Sequence, residues 1–222
     1  MSDPVIERAL ISVSDKKGVV EIARVLQDRN IEILSTGGTK KHLDKASINV
    51  TDIASYTGFP EMMGGRLKTL HPRVHGGILC RHDRPEELES MQAQGILKIP
   101  LIIVNLYPFE ETIAREDADL ALAVENIDIG GPTMIRAAAK NYRFTTVVTS
   151  PEQYAEVADQ IQKQGATSLS LRKKLAFNAF EKTASYDRAI ATYLVEQEFS
   201  IADSHPSPQD DDPFPEKIAN TF

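Results

Sequence analysis

Between Gly64 and His82 the chain reads GGRLKTLHPRVHGGILCRH, with Arg66, Lys68, Arg73 and Arg81 beside three histidines and no acid. The whole protein nevertheless carries a formal net charge of −7. A cationic island in an acidic chain suits an anionic ligand such as phosphate or carboxylate. Glycine pairs at 64–65 and 76–77 bracket the island, so backbone can approach a ligand or turn sharply there. Three other segments repeat the theme. Ser35-Thr36-Gly37-Gly38-Thr39 brings hydroxyls, backbone N–H groups and a helix start together, a phosphate-binding combination. Its rival reading is that Ser35 or Thr39 merely caps a helix. Asp128-Ile129-Gly130-Gly131-Pro132 presents N–H groups at another helix start, suited to an oxyanion or to an Asx turn capped by Asp128. Ser12–Lys16 and Asn105–Tyr107 each follow a strand.

Several chemistries are not indicated. The STGGT turn is neither a G-x-x-x-x-G-K-[ST] loop nor a G-x-G-x-x-G fingerprint, so ATP and dinucleotides are not expected. His71 and His75 have a zinc-like spacing of four. Pro72 lies between them, however, and no acidic third ligand is near, so no metal is expected. There is no G-x-S-x-G elbow.

The elements that must carry these groups follow from hydrophobic patterning. Ala9–Val13 reads as a buried strand, followed by a helix with Val19, Ile22, Ala23 and Leu26 on one face. A strand at Ile31–Leu34 leads through STGGT into a helix expected from about Lys40 to Ala46. Leu101–Val104 is a third strand. A helix over about Leu120–Glu125 and another opening at Pro132 follow. Thr145–Thr149 is a fourth strand. Ser150-Pro151-Glu152-Gln153 is a capping box before a helix that ends at Gly165. From Ser168 to Phe199 the pattern is helical throughout and predicts two helices. Alternating strands and helices imply an α/β fold, a doubly wound parallel sheet covered on both faces. In such a sheet ligands bind outside the carboxyl ends of the strands. That rule brings Ser12–Lys16, Ser35–Thr39 and Asn105–Tyr107 to one rim, where Asp128–Gly131 can join them. Lys140 lies eight residues beyond Pro132, about 12 Å along the axis, and reads as a solvated lysine compensating the helix dipole.

Composition sets the outer bounds. With 222 residues the chain can bury one good-sized core, assigned to residues 1–199. After Ser200, four prolines and Asp210-Asp211-Asp212 give a linker composition over 200–222. Cys80 is the one cysteine, which fits a reducing, cytoplasmic setting, and the N-terminus lacks a signal-peptide pattern. A pI near 5.3 disfavours nucleic acid, and no apolar run approaches a membrane span.

Five segments in order, SVSDK at 12–16, STGGT at 35–39, GRLKTLHPRVHGGIL at 65–79, NLYPF at 105–109 and ENIDIGGPTMIRAAAKN at 125–141, closely resemble one family. It is the bifunctional AICAR transformylase/IMP cyclohydrolase family of purine biosynthesis, matched in its N-terminal cyclohydrolase half over about residues 8–199. The resemblance implies a methylglyoxal-synthase-like fold with additional C-terminal helices, working as a homodimer. It also implies a covalently linked transformylase domain, expected after residue 222. The implied reaction closes 5-formamidoimidazole-4-carboxamide ribotide to inosine 5′-monophosphate with loss of water, using neither metal nor organic cofactor. Lys68, Tyr107, Asp128 and Lys140 would form the catalytic group, with Lys68 crowded by Arg66 and its pKa lowered. N–H groups around Asp128–Gly130 would hold the oxyanion. Ser12, Ser14, Lys16, Ser35, Thr36, Gly37, Gly38 and Thr39 would hold the nucleotide, together with Arg66, Thr69, Asn105, Ile129 and Gly130. The same fold serves elsewhere as a regulatory nucleotide- or phosphate-sensing module, the alternative carried forward. Methylglyoxal synthase itself is a weaker enzyme alternative.

Overall fold

The computed structural model of the chain describes residues 3–202. In chain order the elements are β1 (Arg8–Ser12), α1 (Val19–Asp28), β2 (Glu32–Ser35), α2 (Gly37–Lys45), β3 (Thr51–Asp52), α3 (Ile53–Thr57), α4 (Pro72–Leu79) and α5 (Pro85–Ala93). They continue with β4 (Leu101–Val104), α6 (Phe109–Ile113), α7 (Leu120–Glu125), α8 (Gly130–Lys140), β5 (Thr146–Val148), α9 (Tyr154–Gln164) and α10 (Leu169–Ala202). The strands form one wholly parallel sheet in the order β3-β2-β1-β4-β5. Its central strands are apolar runs buried on both faces, with Ala9, Leu10, Ile11 and all of Leu101–Val104 at most 1% exposed. This is the pattern of a sheet covered by helices on both sides. Strand order reverses between β1 and β4, so a crevice opens at their carboxyl ends. Among the described residues no helix is long and apolar enough to cross a membrane.

The structure corrects several expectations. The stretch expected to hold two helices from Ser168 to Phe199 forms one: α10 runs unbroken for 34 residues, Leu169–Ala202. No glycine or proline interrupts that stretch, and Leu171, Leu175, Ala179, Tyr186 and Tyr193 keep a buried stripe along it. The linker expected from Ser200 falls, beyond Ala202, outside the described residues. α2 starts at Gly37, three residues before the expected Lys40. α8 starts at Gly130, so Pro132 is its third residue; a proline is tolerated there because first-turn N–H groups lack helical partners. Patterning assigns nothing between 47 and 100, where β3, α3, α4 and α5 lie. Gly76 and Gly77 lie inside α4, where a Cβ on Gly77 would overlap the Leu97 carbonyl oxygen. That pair serves close packing and not ligand approach.

Candidate active site

A cleft of ≈ 680 Å³ opens at the crevice between β1 and β4. Its walls include Ser12, Ser14, Lys16, Thr36, Gly37, Gly38, Thr39, Arg66, Lys68, Thr69, Asn105, Tyr107, Asp128, Ile129 and Gly130. Two expected site residues are not in it. Ser35 is fully buried, and its hydroxyl donates to the Ile11 carbonyl at 2.6 Å, tying β2 to β1. Lys140 stands exposed in the last turn of α8, at the opposite end from Asp128. Its position within one chain is the one the residue count gives.

Two helix starts face the cleft. At α2, Thr36 is the N-cap but its side chain makes no capping bond, and the first turn has no acid. The N–H groups of the first turn have no intrahelical partners, so this end is an open anion cradle. Thr36 Oγ1 lies 3.5 Å from Ser12 Oγ, which brings two hydroxyls to its edge. Thr39 lines the same wall, but its hydroxyl is engaged: it donates to Val13 O at 2.9 Å and accepts Val13 N–H at 3.0 Å. Lys16 Nζ folds back onto the Val13 carbonyl and, at 3.2 Å, the Ser14 carbonyl. Burial lowers its pKa, against the pull of Asp15.

At α8 the start is filled from within. Asp128 Oδ1 accepts the Gly131 N–H at 2.8 Å. A Cβ on Gly131 would overlap Asp128 Oδ2, so glycine is required for that approach. Burial raises the Asp128 pKa above the ordinary carboxylate value, against N–H donation from Gly131, Tyr107 and Gly130. The Asp128 N–H itself donates to the Tyr186 hydroxyl at 2.8 Å, so it is not available to an oxyanion. Beside the turn, Asn105 Oδ1 accepts from the N–H of Ser14 at 2.6 Å and of Asp15 at 3.1 Å, clamping the ends of β1 and β4 together. Tyr107, 41% exposed, lines the cleft.

The cationic island bridges the two starts. A Cβ on Gly37 would lie 3.8 Å from Lys68 Nζ, and one on Gly130 would lie 3.0 Å from Thr69 Oγ1. Consecutive residues 68 and 69 therefore reach α2 and α8 respectively. The acids missing from the island come from outside it: Glu61 sits 3.0 Å from Lys68 Nζ, and Glu125 pairs with Arg66. Lys68 is thus held by Glu61, and the Arg66 guanidinium expected to crowd it is paired with Glu125. The rest of the island is structural, with Arg81 paired to Glu87 and Arg73 donating to the Tyr56 carbonyl at 3.2 Å. His71 caps α4, its Nδ1 accepting the Arg73 N–H at 3.1 Å. Among the described residues no group of three or more His, Cys, Asp or Glu side chains could hold a metal. Glu61, Glu125 and Tyr186 went unread in the sequence because only the fold pairs them with Lys68, Arg66 and the Asp128 peptide.

A parallel sheet with ligand groups at its switch point, glycines at two helix starts and a cationic strap between them defines an MGS-like domain, and residues 18–133 match that family's model. Residues 138–217 match the AICARFT/IMPCHase bienzyme model, and the chain belongs to that purine-biosynthesis family. A solved structure described as the crystal structure of ForH is similar, 34% identical over 83% of this chain and 94% of that one, with a TM-score of 0.76.

Proposed function

We propose that the chain is an IMP cyclohydrolase, closing the formylated ribotide to inosine 5′-monophosphate with loss of water. The observation that carries this reading is Asp128, a half-buried carboxyl whose pKa is raised by desolvation, in the same cleft as an open phosphate cradle. A binding module needs the cradle alone; a carboxyl poised to exchange protons has a use in turnover. In the proposed reaction the 5′-phosphate sits on the first turn of α2, between the hydroxyls of Ser12 and Thr36, with Lys16 balancing its charge and Lys68 serving proton transfer at the closing ring. The carboxamide nitrogen attacks the formyl carbon within one molecule, so the substrate supplies proximity. Asp128, with Tyr107 beside it, manages the proton leaving that nitrogen and the proton needed by departing hydroxide. The N–H group of Ile129, with the Thr69 hydroxyl beside Gly130, stabilises the tetrahedral oxyanion. Lys140 has no part in the cleft of a single chain. The reading further includes a homodimer, a cytoplasmic setting and no metal or organic cofactor.

The test is a spectroscopic assay of purine-ring formation from 5-formamidoimidazole-4-carboxamide ribotide, run with wild type and Lys68→Ala. Turnover by wild type, cut by ~10²-fold or more in the variant with nucleotide affinity changed much less, supports a catalytic Lys68. Turnover nearly retained with affinity lost would move Lys68 to the phosphate cradle. Tight nucleotide binding without turnover in wild type would favour a sensing module.

A further inference from the structure

The groups proposed to react lie between Ser12 and Gly131, yet the turn that carries Asp128 is anchored from α10. Its backbone N–H donates to Tyr186 Oη at 2.8 Å, across 58 residues of sequence. Tyr186 is 8% exposed and is not part of the cleft wall. Its ring stands edge-on to Phe109, with centroids 6.2 Å apart and planes at 73°. Phe109 is 2% exposed, and its N–H donates to the Tyr107 carbonyl at 2.8 Å. One side chain therefore touches both segments that bring proton-transfer groups to the cleft, by its hydroxyl at Asp128 and by its ring at Phe109, two residues after Tyr107.

We infer that Tyr186 is a positioning residue for the reaction, fixing the Asp128 peptide and the Tyr107 loop relative to each other. Asp128 lies just before the α8 N-cap, so its N–H has no helical partner and the phenol satisfies it. A buried phenol in turn needs a partner, and the two groups lock one another. Loosening such an anchor moves the carboxyl without removing it, and displacement of about 1 Å can cost on the order of 10²-fold in rate. The inference rests on the reading of Asp128 and Tyr107 as reacting groups. It assigns α10 a catalytic purpose beyond covering the sheet.

Tyr186→Phe removes the hydroxyl alone and leaves the ring on Phe109. The expected result is kcat lowered about tenfold with KM within about twofold. Tm should fall by less than about 4 °C. Independently of turnover, hydrogen exchange at the Asp128 amide should accelerate about tenfold or more, since its acceptor is gone. Tyr193→Phe is the control, because Tyr193 shares the edge-on contact with Phe109 (5.7 Å, 84°) without the bond to Asp128. It should leave kcat and the Asp128 amide at wild-type values. An unchanged kcat in Tyr186→Phe, an equal loss in Tyr193→Phe, or a rise in KM with kcat retained would overturn the assignment. Asp128→Asn is measured alongside. Full turnover in that variant would sink the reading of Asp128, while the amide exchange would still decide whether Tyr186 holds the turn.

Discussion

The starts of α2 and α8 share one cleft but treat their unpaired N–H groups in opposite ways. At α2 no side chain caps the helix and no acid occupies its first turn, so the positive end of the helix dipole waits for an anion from solution. At α8 the chain supplies its own carboxylate, Asp128, in bond with Gly131. Burial makes that carboxylate reluctant to carry charge. Identical backbone chemistry is thus left open at one start and filled by the chain's own acid at the other. The difference lies in whether an acid stands before the first turn. Lys68 and Thr69, adjacent in sequence, reach one end each.

The largest expected break in this pairing comes from Asp128→Asn. The amide keeps the shape and the acceptor for Gly131 but cannot exchange a proton, so kcat should fall by ~10²–10³-fold. Affinity for inosine 5′-monophosphate should change by less than about threefold, since the α2 end is intact; titration calorimetry beside the assay checks both. A parallel collapse of affinity would show that the two ends are not separate.

Gly37→Val attacks the other end. Gly37 has φ +45°, a conformation costly for a β-branched residue, and its missing side chain leaves room beside Lys68 Nζ. Nucleotide affinity should drop about tenfold or more, while kcat at saturation should hold within a few-fold. Lys16→Ala should weaken binding several-fold and flatten its dependence on ionic strength, because a cation near the anion has been removed. Binding as salt-sensitive as in wild type would place Lys16 outside the anion's field.

How far the sequence revealed these two ends depends on the range of the interactions involved. The cradle was legible in STGGT because hydroxyls, glycines and a strand end are local features. Which hydroxyls stay free was not, since Ser35 and Thr39 are claimed by carbonyls of the β1 segment 24 and 26 residues away. The strands and the switch point followed from apolar runs. The length of α10 was misread because a helical period says nothing of a break when no breaker residue is present. Glu61, Glu125 and Tyr186 were invisible for one reason: their partners are set by the fold, not by spacing.

A smaller effect sharpens the α2 end. A Cβ on Gly38 meets nothing within 4 Å, and that open space is the cleft itself. Gly38→Ala should therefore stabilise the helix, raising Tm by about 2–4 °C. Nucleotide binding should weaken several-fold because the ligand loses the same space. Stability and affinity moving in opposite directions would mark this turn as shaped for a ligand; both improving would leave it an ordinary helix start.

The smallest effect is the pH dependence that Asp128 gives to folding. Its ordinary pKa is 3.8, and burial raises it in the folded chain. Below 3.8 the carboxyl is protonated whether folded or not, and the neutral group sits in the turn without penalty. As pH rises from 3.8 through the raised folded value, the unfolded chain gives up its proton first, so stability is progressively lost. Above the folded value the loss is complete and constant. His82 works the other way: burial lowers its pKa from 6.5 to about 4, so its contribution is present above 6.5 and lost as pH falls towards 4. Raw melting curves would mix the two. The Tm of Asp128→Asn minus that of wild type cancels His82 and should grow with pH from just below 3.8 upward, then level off. A flat difference would mean that Asp128 is not desolvated enough to favour its neutral form, and the α8 start would then differ from α2 only in being filled.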